Sequence, residues 1–499
     1  MRAPSRLLRS PLATAAGLSA VGIGVAGLVR LAYSVLVGRD GGPSALAAVN
    51  ASISLALLAS MLGPSAAGSA ASKFVARASG AGGGAPAAAA HLLRRTALLA
   101  PLLAVGAAAA SVLVLDGSWS TAAGVAFLVL SVSAYLFTRG VLLGLGRVAR
   151  TAVAEGVSAV VAVGLLTGVL AAGWSALVLA PLGLGYLAYA ALAWPRGVLR
   201  PSGRPHPPQR RELDAFLGWG VLGSVCSAGL MQLSVVVAAG ADTPRRAGLY
   251  AAAVAVGTPA ASLAAPLAQV LFPSMARAAG GGDLAAVRRQ TDVATRGLVL
   301  VLGVAFGSVF LLAAPLLRLA YDERFLAAVP LLQLVVVAVL LSTVTVPAVS
   351  SLTSGSADGV RLVARTSAAG FATGTAVMVA AAPVLGVGGV VVGYLVGTLV
   401  TNALPWWVVW HRHGHDWGRL SARVLGAVAV LALLGVLQQR LPADAAGAGA
   451  TALAVALAAG FSGLWLLAGR RDVRLLLAGP GPGTTSGRPP APAHVSSGP

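Results

Sequence analysis

Apolar residues run along this chain in long, uninterrupted blocks that are separated by short stretches rich in Arg, Gly and Pro. Each block reaches the ~20 residues that a helix needs to cross the hydrocarbon of a bilayer. The blocks do not alternate between apolar and polar residues as barrel strands do, so the predicted elements are helices. Fourteen helices are predicted, at about 12–37, 44–70, 94–115, 121–144, 149–172, 175–194, 214–239, 247–275, 296–317, 326–352, 361–382, 385–410, 420–438 and 447–468.

Composition supports an all-α polytopic membrane protein. The chain is 57% hydrophobic and only 10% charged, whereas soluble domains carry ~25% charged residues. The net charge of +21 is spread in small clusters between the apolar blocks, and nucleic-acid binding would need one continuous basic face. A single cysteine, Cys226, excludes disulfides and multi-cysteine metal sites. We therefore expect no cofactor, no metal and no nucleic-acid partner.

The positions of the basic residues predict the topology. If the N-terminus is cytoplasmic, 28 of the 35 Lys and Arg fall in inside segments and six in outside loops, as the positive-inside rule requires. Arg30 is the one left over, within the first apolar block. That block is longer than the ~7 to 15 residues of a signal-peptide core, so we expect it to be retained. The predicted location is the cell membrane, with both termini cytoplasmic.

A Pro- and Arg-rich segment, PRGVLRPSGRPHPPQRREL, divides the chain into two unequal parts. It is typical of a solvated connector, and the last residues lack the apolar content to fold. The predicted organisation is a first lobe at 1–194 with helices one to six, a cytoplasmic linker at 195–213, a second lobe at 214–410 with helices seven to twelve, helices thirteen and fourteen at 411–468, and a disordered cytoplasmic tail at 469–499.

The two lobes share a weak internal repeat. LVRLAYSVLVGRD, from Leu28, aligns with LMQLSVVVAAGAD, from Leu230, and FVARASGAGGG has a later counterpart in SMARAAGGGD. Six helices separate the copies, so both lobes enter the membrane in the same direction and are related by an axis along its normal. The alignment places Arg30 opposite Gln232.

Several ordered segments together resemble the polysaccharide and lipid-linked oligosaccharide flippases of the multidrug/oligosaccharidyl-lipid/polysaccharide (MOP) exporter superfamily. They are VRLAYSVLVGRDGG, RAGLYAAAVAVGTP, LFPSMARAAGGG and LRLAYDERFLAAVPLLQLV, within about residues 12 to 440. The resemblance implies two lobes around a cationic cavity that opens alternately to the two sides, and a polyprenyl diphosphate carrying a glycan as substrate. Gln232 stands where many members have an acidic residue, which puts coupling through a carboxylate there in doubt.

Polar residues inside the predicted helices are the candidates for function. Arginine can grip phosphate oxygens with two parallel hydrogen bonds, although Arg30 could instead snorkel to the outer headgroups. For the uncharged candidates the alternative is hydrogen bonding between helices. The substrate-binding candidates are Arg30, Tyr33, Asn50, Gln232, Gln269 and Asn402.

Two further polar features have both a functional and a structural interpretation. Glu155 is the one acid in the interior of a predicted helix, so it is the ion-coupling candidate; the alternative is an interfacial salt bridge with Arg147 or Arg150. Arg139 is predicted to be a cytoplasmic anchor. The cluster HRHGHDW from His411 has its histidines two residues apart, a spacing that does not share a helical face, and is predicted to be an interface segment with a belt formed by Trp406, Trp407, Trp410 and Trp417.

The leading hypothesis is a membrane transporter that flips a polyprenyl-diphosphate-linked oligosaccharide or polysaccharide precursor from the cytoplasmic to the outer leaflet by alternating access. The alternatives are a cation-coupled multidrug exporter or lipid II flippase of the same superfamily, a membrane glycan polymerase or ligase, and a scaffold that does not transport. No catalytic motif is found, so no enzyme is expected. The expected partners are the lipid-linked glycan, membrane lipids and other polysaccharide export components, and a monomer is expected.

Overall fold

The computed structural model describes residues 11–80, 85–196, 207–260, 282–355, 357–439 and 448–478, together with 271, 274–275 and 278–279. The described residues are almost entirely helical and contain no strand. This agrees with the all-α prediction, because a backbone in lipid must satisfy its hydrogen bonds within each segment. The predicted contact of Gln269 with substrate and most of the predicted disordered tail lie outside the described residues.

The helices are numbered here in chain order. They are α1 (Pro11–Met61), α2 (Pro64–Gly80), α3 (Ala85–Leu115), α4 (Trp119–Gly144), α5 (Val148–Ala171), α6 (Ala180–Ala193), α7 (Pro207–Ser224), α8 (Leu230–Ala241), α9 (Pro244–Gly257), α10 (Leu284–Leu311), α11 (Ala313–Ala320), α12 (Val329–Val344), α13 (Val346–Gly355), α14 (Ala357–Leu385), α15 (Val387–Arg412), α16 (Gly418–Gln439), α17 (Ala448–Ala468) and α18 (Arg470–Ala478). Short 3₁₀ turns lie at Ser175–Leu177 and Glu323–Ala328, and a π-helical turn at Val225–Gly229 joins α7 to α8.

Twelve helical stretches among the described residues are long and apolar enough to cross a membrane. One of them, Gly27–Met61, contains a kink at Gly42, whose φ is 72°, followed by Pro43 inside the helix. The kink separates the predicted first and second helices, since glycine adopts a positive φ without strain and proline donates no backbone hydrogen bond. The predicted eighth helix begins with α9, and most of the rest lies outside the described residues. The structure is therefore consistent with about fourteen crossings.

Several of the predicted boundaries are wrong, among them the end of the linker predicted at 195–213, since α7 already begins at Pro207. The predicted second helix, 44–70, is interrupted after Met61, and a new helix starts at Pro64, because proline suits a first turn and not a helix interior. The tail predicted to be disordered from residue 469 begins instead with α18. Asp472 anchors this helix, since its carboxylate pairs with Arg296 at 3.1 Å and with Arg423 at 2.8 Å.

Helix α1 holds the centre of the bundle. It packs against α4 and α5 and also against α8 and α9, so it joins the parts of the chain that precede and follow the linker. Elsewhere small residues allow close packing: a Cβ added at Gly374 of α14 or Gly397 of α15 would lie 2.9 Å from the Cα of the other. Such close backbone approach is a main source of helix association in lipid.

Candidate functional site: a polar cavity along the first helix

A cavity of about 150 Å³ lies between α1, α8 and α9, on the face where the two repeats meet. Its wall combines apolar side chains, among them Met231, Val235 and Val254, with a few polar ones. The polar residues on its wall are Arg30, Asn50, Ser54, Gln232 and Thr258. An apolar chamber with a few converging polar groups is the usual form of a small-molecule site.

Arg30 directs a charged group to this cavity. Its guanidinium forms no hydrogen bond or ion pair with any residue that the structure describes, and the side chain is exposed. An arginine in the apolar part of a membrane helix is costly unless it faces a partner or a wet cavity. Arg30 thus has a place on the cavity wall from which its N–H donors can reach a ligand, and its role in binding stays a prediction.

Gln232 and Asn50 supply amide groups to the same wall. Gln232 is 4% exposed and forms no hydrogen bond with a described residue. Asn50 donates from Nδ2 to the Leu46 carbonyl at 3.2 Å and to Ser34 Oγ at 3.4 Å. The repeat alignment that set Arg30 opposite Gln232 thus corresponds to a real proximity in space. Their role in binding substrate stays a prediction.

Two other predicted contact residues lie away from the cavity wall. Tyr33 is 1% exposed, and its hydroxyl donates to the Val178 carbonyl, which ties α1 to the segment before α6. Asn402 accepts a hydrogen bond from Thr345 Oγ1 and donates to the Thr398 carbonyl at 2.8 Å. Neither residue lines this cavity, so contact of Tyr33 and Asn402 with substrate stays a prediction, and Asn402 makes the kind of contact between helices that is its alternative.

The predicted partners of Glu155 are also wrong. Its carboxylate is 5% exposed and accepts hydrogen bonds from Tyr135 Oη at 2.7 Å and from Arg139 Nε at 3.2 Å. Arg150 instead donates to the Leu192 carbonyl at 2.8 Å. Arg139, predicted to be an interfacial anchor, points between α4 and α5 because the buried carboxylate needs a positive partner. Neither Glu155 nor Arg139 is on the cavity wall, although Tyr186, which packs on Tyr135, lies within electrostatic reach of both Arg30 and Glu155.

The histidine cluster forms no metal site among the described residues. His415 stacks on Trp417 with ring centroids 4.5 Å apart, and Trp417 donates from Nε1 to Asp292 at 2.8 Å. Trp417 is fully buried, so it is not part of a membrane-surface belt as predicted. Burial lowers the pKa of His415 to about 4, so the imidazole is neutral where it packs against α10. We call His415 and Trp417, which pack together against α10, the plug.

Sequence reasoning missed the small polar residues of the site, Ser54 and Thr258. In a membrane helix such residues commonly satisfy their hydroxyls on their own backbone, as Thr258 does by donating to the Val254 carbonyl at 2.8 Å. A serine or threonine in an apolar run therefore gives almost no sign of what its side chain faces. Only the arrangement of the helices reveals it.

Comparisons with solved structures identify the fold. An inward-facing multidrug resistance MATE family transporter of the MOP superfamily matches with a TM-score of 0.63 and 15% identity, over 78% of this chain and 94% of that one. MATE in complex with MaL6 matches with a TM-score of 0.58 and 15% identity, over 82% of this chain and 98% of that one. An outward-facing multidrug resistance MATE family transporter of the MOP superfamily matches with a TM-score of 0.56 and 17% identity, over 82% of this chain and 97% of that one.

Sequence comparisons add no closer relationship. No family model matches the sequence, and no curated protein matches it. About a fifth of this chain has no counterpart in the inward-facing structure, whereas nearly all of that structure is matched. By these structural likenesses, the chain has the fold of the MATE transporters of the MOP superfamily.

Proposed function

We propose that this protein is a secondary transporter that flips an anionic, lipid-linked glycan across the cell membrane, with a phosphate or diphosphate group held at Arg30. The observation that carries the proposal is the Arg30 guanidinium on the wall of a cavity between the two repeats, paired with none of the described residues. The fold shared with solved transporters supports transport as the activity. The expected location, with both termini cytoplasmic and transport toward the outer leaflet, rests on the charge distribution of the loops.

The chemistry of the cavity suits a diphosphate. Moving such a group through the low-dielectric interior needs a fixed positive partner, and arginine offers planar, bidentate hydrogen bonds that lysine cannot. The amides of Gln232 and Asn50 can serve sugar hydroxyls or phosphate oxygens, since each carries both donors and an acceptor. Apolar residues such as Val235 and Val254 can accept the first part of the lipid.

The size of the cavity defines what this conformation can hold. Its volume of about 150 Å³ is below the ~300 to 1,000 Å³ of ordinary ligand pockets. That space accommodates a charged headgroup but not a glycan. Passage of the whole substrate therefore requires the two repeats to separate at one end, as alternating access implies.

A multidrug exporter is the second candidate, since the solved structures named above include multidrug resistance transporters. An exporter of cationic drugs would place carboxylates on the wall of the binding cavity. The described cavity wall has no Asp or Glu, and Arg30 would repel a cation. The charge of the wall thus favours an anionic substrate.

Ion coupling through Glu155 is a separate part of the proposal. The carboxylate is buried inside a membrane-spanning region, where ionisable groups often serve transport. Its pairing with Arg139 equally supports a structural role. Transport by Glu155→Gln, measured across a range of pH, distinguishes the two roles.

Binding of a short-chain polyprenyl diphosphate to the purified protein in detergent tests the cavity assignment. Arg30→Ala should lose binding by at least tenfold and Arg30→Lys should recover part of it. Arg245→Ala, which removes an exposed arginine outside the cavity, is the matched control. Unchanged binding in Arg30→Ala would refute the assignment. Binding of tetraphenylphosphonium in place of the diphosphate would favour the multidrug candidate.

A further inference from the structure

The end of the bundle beyond the cavity is held shut by contacts that cross between the repeats. Arg39, on α1, donates from Nε to the Ala320 carbonyl at 2.8 Å and from Nη2 to the Leu319 carbonyl. Arg324 donates in return from Nη2 to the Arg39 carbonyl at 3.0 Å. The hydrogen bond from Arg324 also holds the pKa of Asp322 below its usual range. We call these contacts the clasp.

Tyr321 connects the clasp to the interior. Its ring is buried against Gly38, where an added Cβ would lie 2.6 Å from the ring. Its hydroxyl lies 2.9 Å from Ser34 Oγ. Ser34 Oγ also accepts the hydrogen bond from Nδ2 of Asn50, and Asn50 is on the cavity wall. A hydrogen-bonded path therefore runs from the cavity to Tyr321, and Tyr321 directly follows Ala320 of the clasp in the chain.

The bond between Asn50 and Ser34 is the weak step of this path. At 3.4 Å it is long for a hydrogen bond, and a phosphate oxygen offers the amide a stronger, charge-assisted acceptor. Either hydroxyl of the Ser34–Tyr321 pair can be the donor; when Ser34 donates, losing the hydrogen bond from Asn50 makes it a poorer donor, because hydrogen bonds in a chain polarise one another. An occupant that takes the amide of Asn50 would weaken the contact between Ser34 and Tyr321.

We infer that Ser34 and Tyr321 are positioning residues that transmit occupancy of the cavity to the clasp, so that a bound anion loosens the closed end. This inference rests on the proposed function for its ligand. The connection from Ser34 and Tyr321 to the clasp does not depend on which ligand binds and rests on the structure alone. Arg30 and Arg39 are nine residues apart on α1, about 13 Å along a helix, so the anion and the clasp do not touch directly.

The chain offers a matched control. Ser234 Oγ and Tyr250 Oη lie 2.7 Å apart, both buried, on α8 and α9 of the same repeat. Tyr250→Phe therefore removes the same kind of serine–tyrosine hydrogen bond without touching a contact between repeats. A general effect of losing a buried hydroxyl would appear in both variants.

Distances between spin labels test the inference in the full chain. Labels at Ser120→Cys and Glu323→Cys, both exposed and outside the clasp hydrogen bonds, are placed in a Cys226→Ala background, which removes the one cysteine. Without ligand, Tyr321→Phe and Ser34→Ala should each add a second, longer distance population, and Tyr250→Phe should not. Equal distributions in Tyr321→Phe and Tyr250→Phe would overturn the inference.

Addition of farnesyl diphosphate tests the link to the cavity. The parent should gain the longer population, and Asn50→Ala should show no further change on addition of the ligand. If the parent binds farnesyl diphosphate without any change in distance, transmission is refuted. If the parent does not bind it, the proposed function fails, and the ligand-free comparison of Tyr321→Phe with Tyr250→Phe still decides whether Tyr321 holds the clasp.

Discussion

The buried pair of Glu155 and Arg139 gives the sharpest prediction about stability. In Glu155→Gln the shape of the side chain is kept, but the guanidinium of Arg139 loses its anionic partner at 3.2 Å. The hydroxyl of Tyr135 keeps an oxygen acceptor, so the change isolates the charge. The stability of the interface between α4 and α5 should fall.

The size of the loss follows from burial. Breaking a buried ion pair at one partner costs about 3 to 5 kcal/mol, because a charge is left uncompensated. The Arg139 side chain is 25% exposed, whereas Glu155 is 5% exposed. Water can therefore solvate part of the guanidinium, and we expect a loss near the lower end, about 3 kcal/mol. In the double variant Glu155→Gln, Arg139→Gln no charge is stranded, so the loss should be at most about 1.5 kcal/mol.

The assay is unfolding of the purified protein in detergent, with the four members of the double-mutant cycle compared under one condition. The double variant should be more stable than either single variant. Losses that simply add in the double variant would refute the reasoning, since they would show that the two side chains do not interact. Transport restored in the double variant would assign the pair a structural role, and transport lost despite restored stability would support coupling through Glu155.

Two more predictions concern the packing of α9 and the plug at His415. Gly248→Ala should destabilise the protein by about 1 to 3 kcal/mol, because the added Cβ would overlap the Pro43 carbonyl oxygen. Gly240→Ala, with open space around it, is the control. Equal unfolding midpoints for Gly248→Ala and Gly240→Ala would contradict this packing. Since the pKa of folded His415 is lowered to about 4 from an ordinary ~6.5, the unfolded chain binds the proton first, and stability should fall by up to about 3 kcal/mol as pH drops from 6.5 toward 4. His415→Phe should flatten that part of the unfolding profile, and an unchanged pH dependence would exclude the plug as its source.

Part of the candidate site could be predicted from the sequence, because a charged residue in an apolar helix is conspicuous. Arg30 is the one basic residue that topology leaves unexplained, and a charge in an apolar helix is costly enough to require a function or a partner. The repeat then paired it with Gln232, and both line one cavity. Glu155 was equally conspicuous, but its partner, Arg139, lies on another helix. Arg150, a neighbour in sequence, is the wrong partner for Glu155, because contacts between helices join residues that are distant in the sequence.

The sequence by itself determined the membrane class and the approximate number of crossings, and it pointed to Arg30 as the charged residue of the candidate site. These are local properties, since the free energy of burying about 20 residues in lipid depends on their composition and hardly on their neighbours. Tertiary structure decided how each helix is rotated about its axis: Tyr33 faces Val178, and Tyr321 reaches Ser34. In a water-soluble helix the apolar stripe would show that rotation. In lipid both the buried face and the outer face are apolar, so rotation leaves little pattern in the sequence and is set by packing and a few hydrogen bonds.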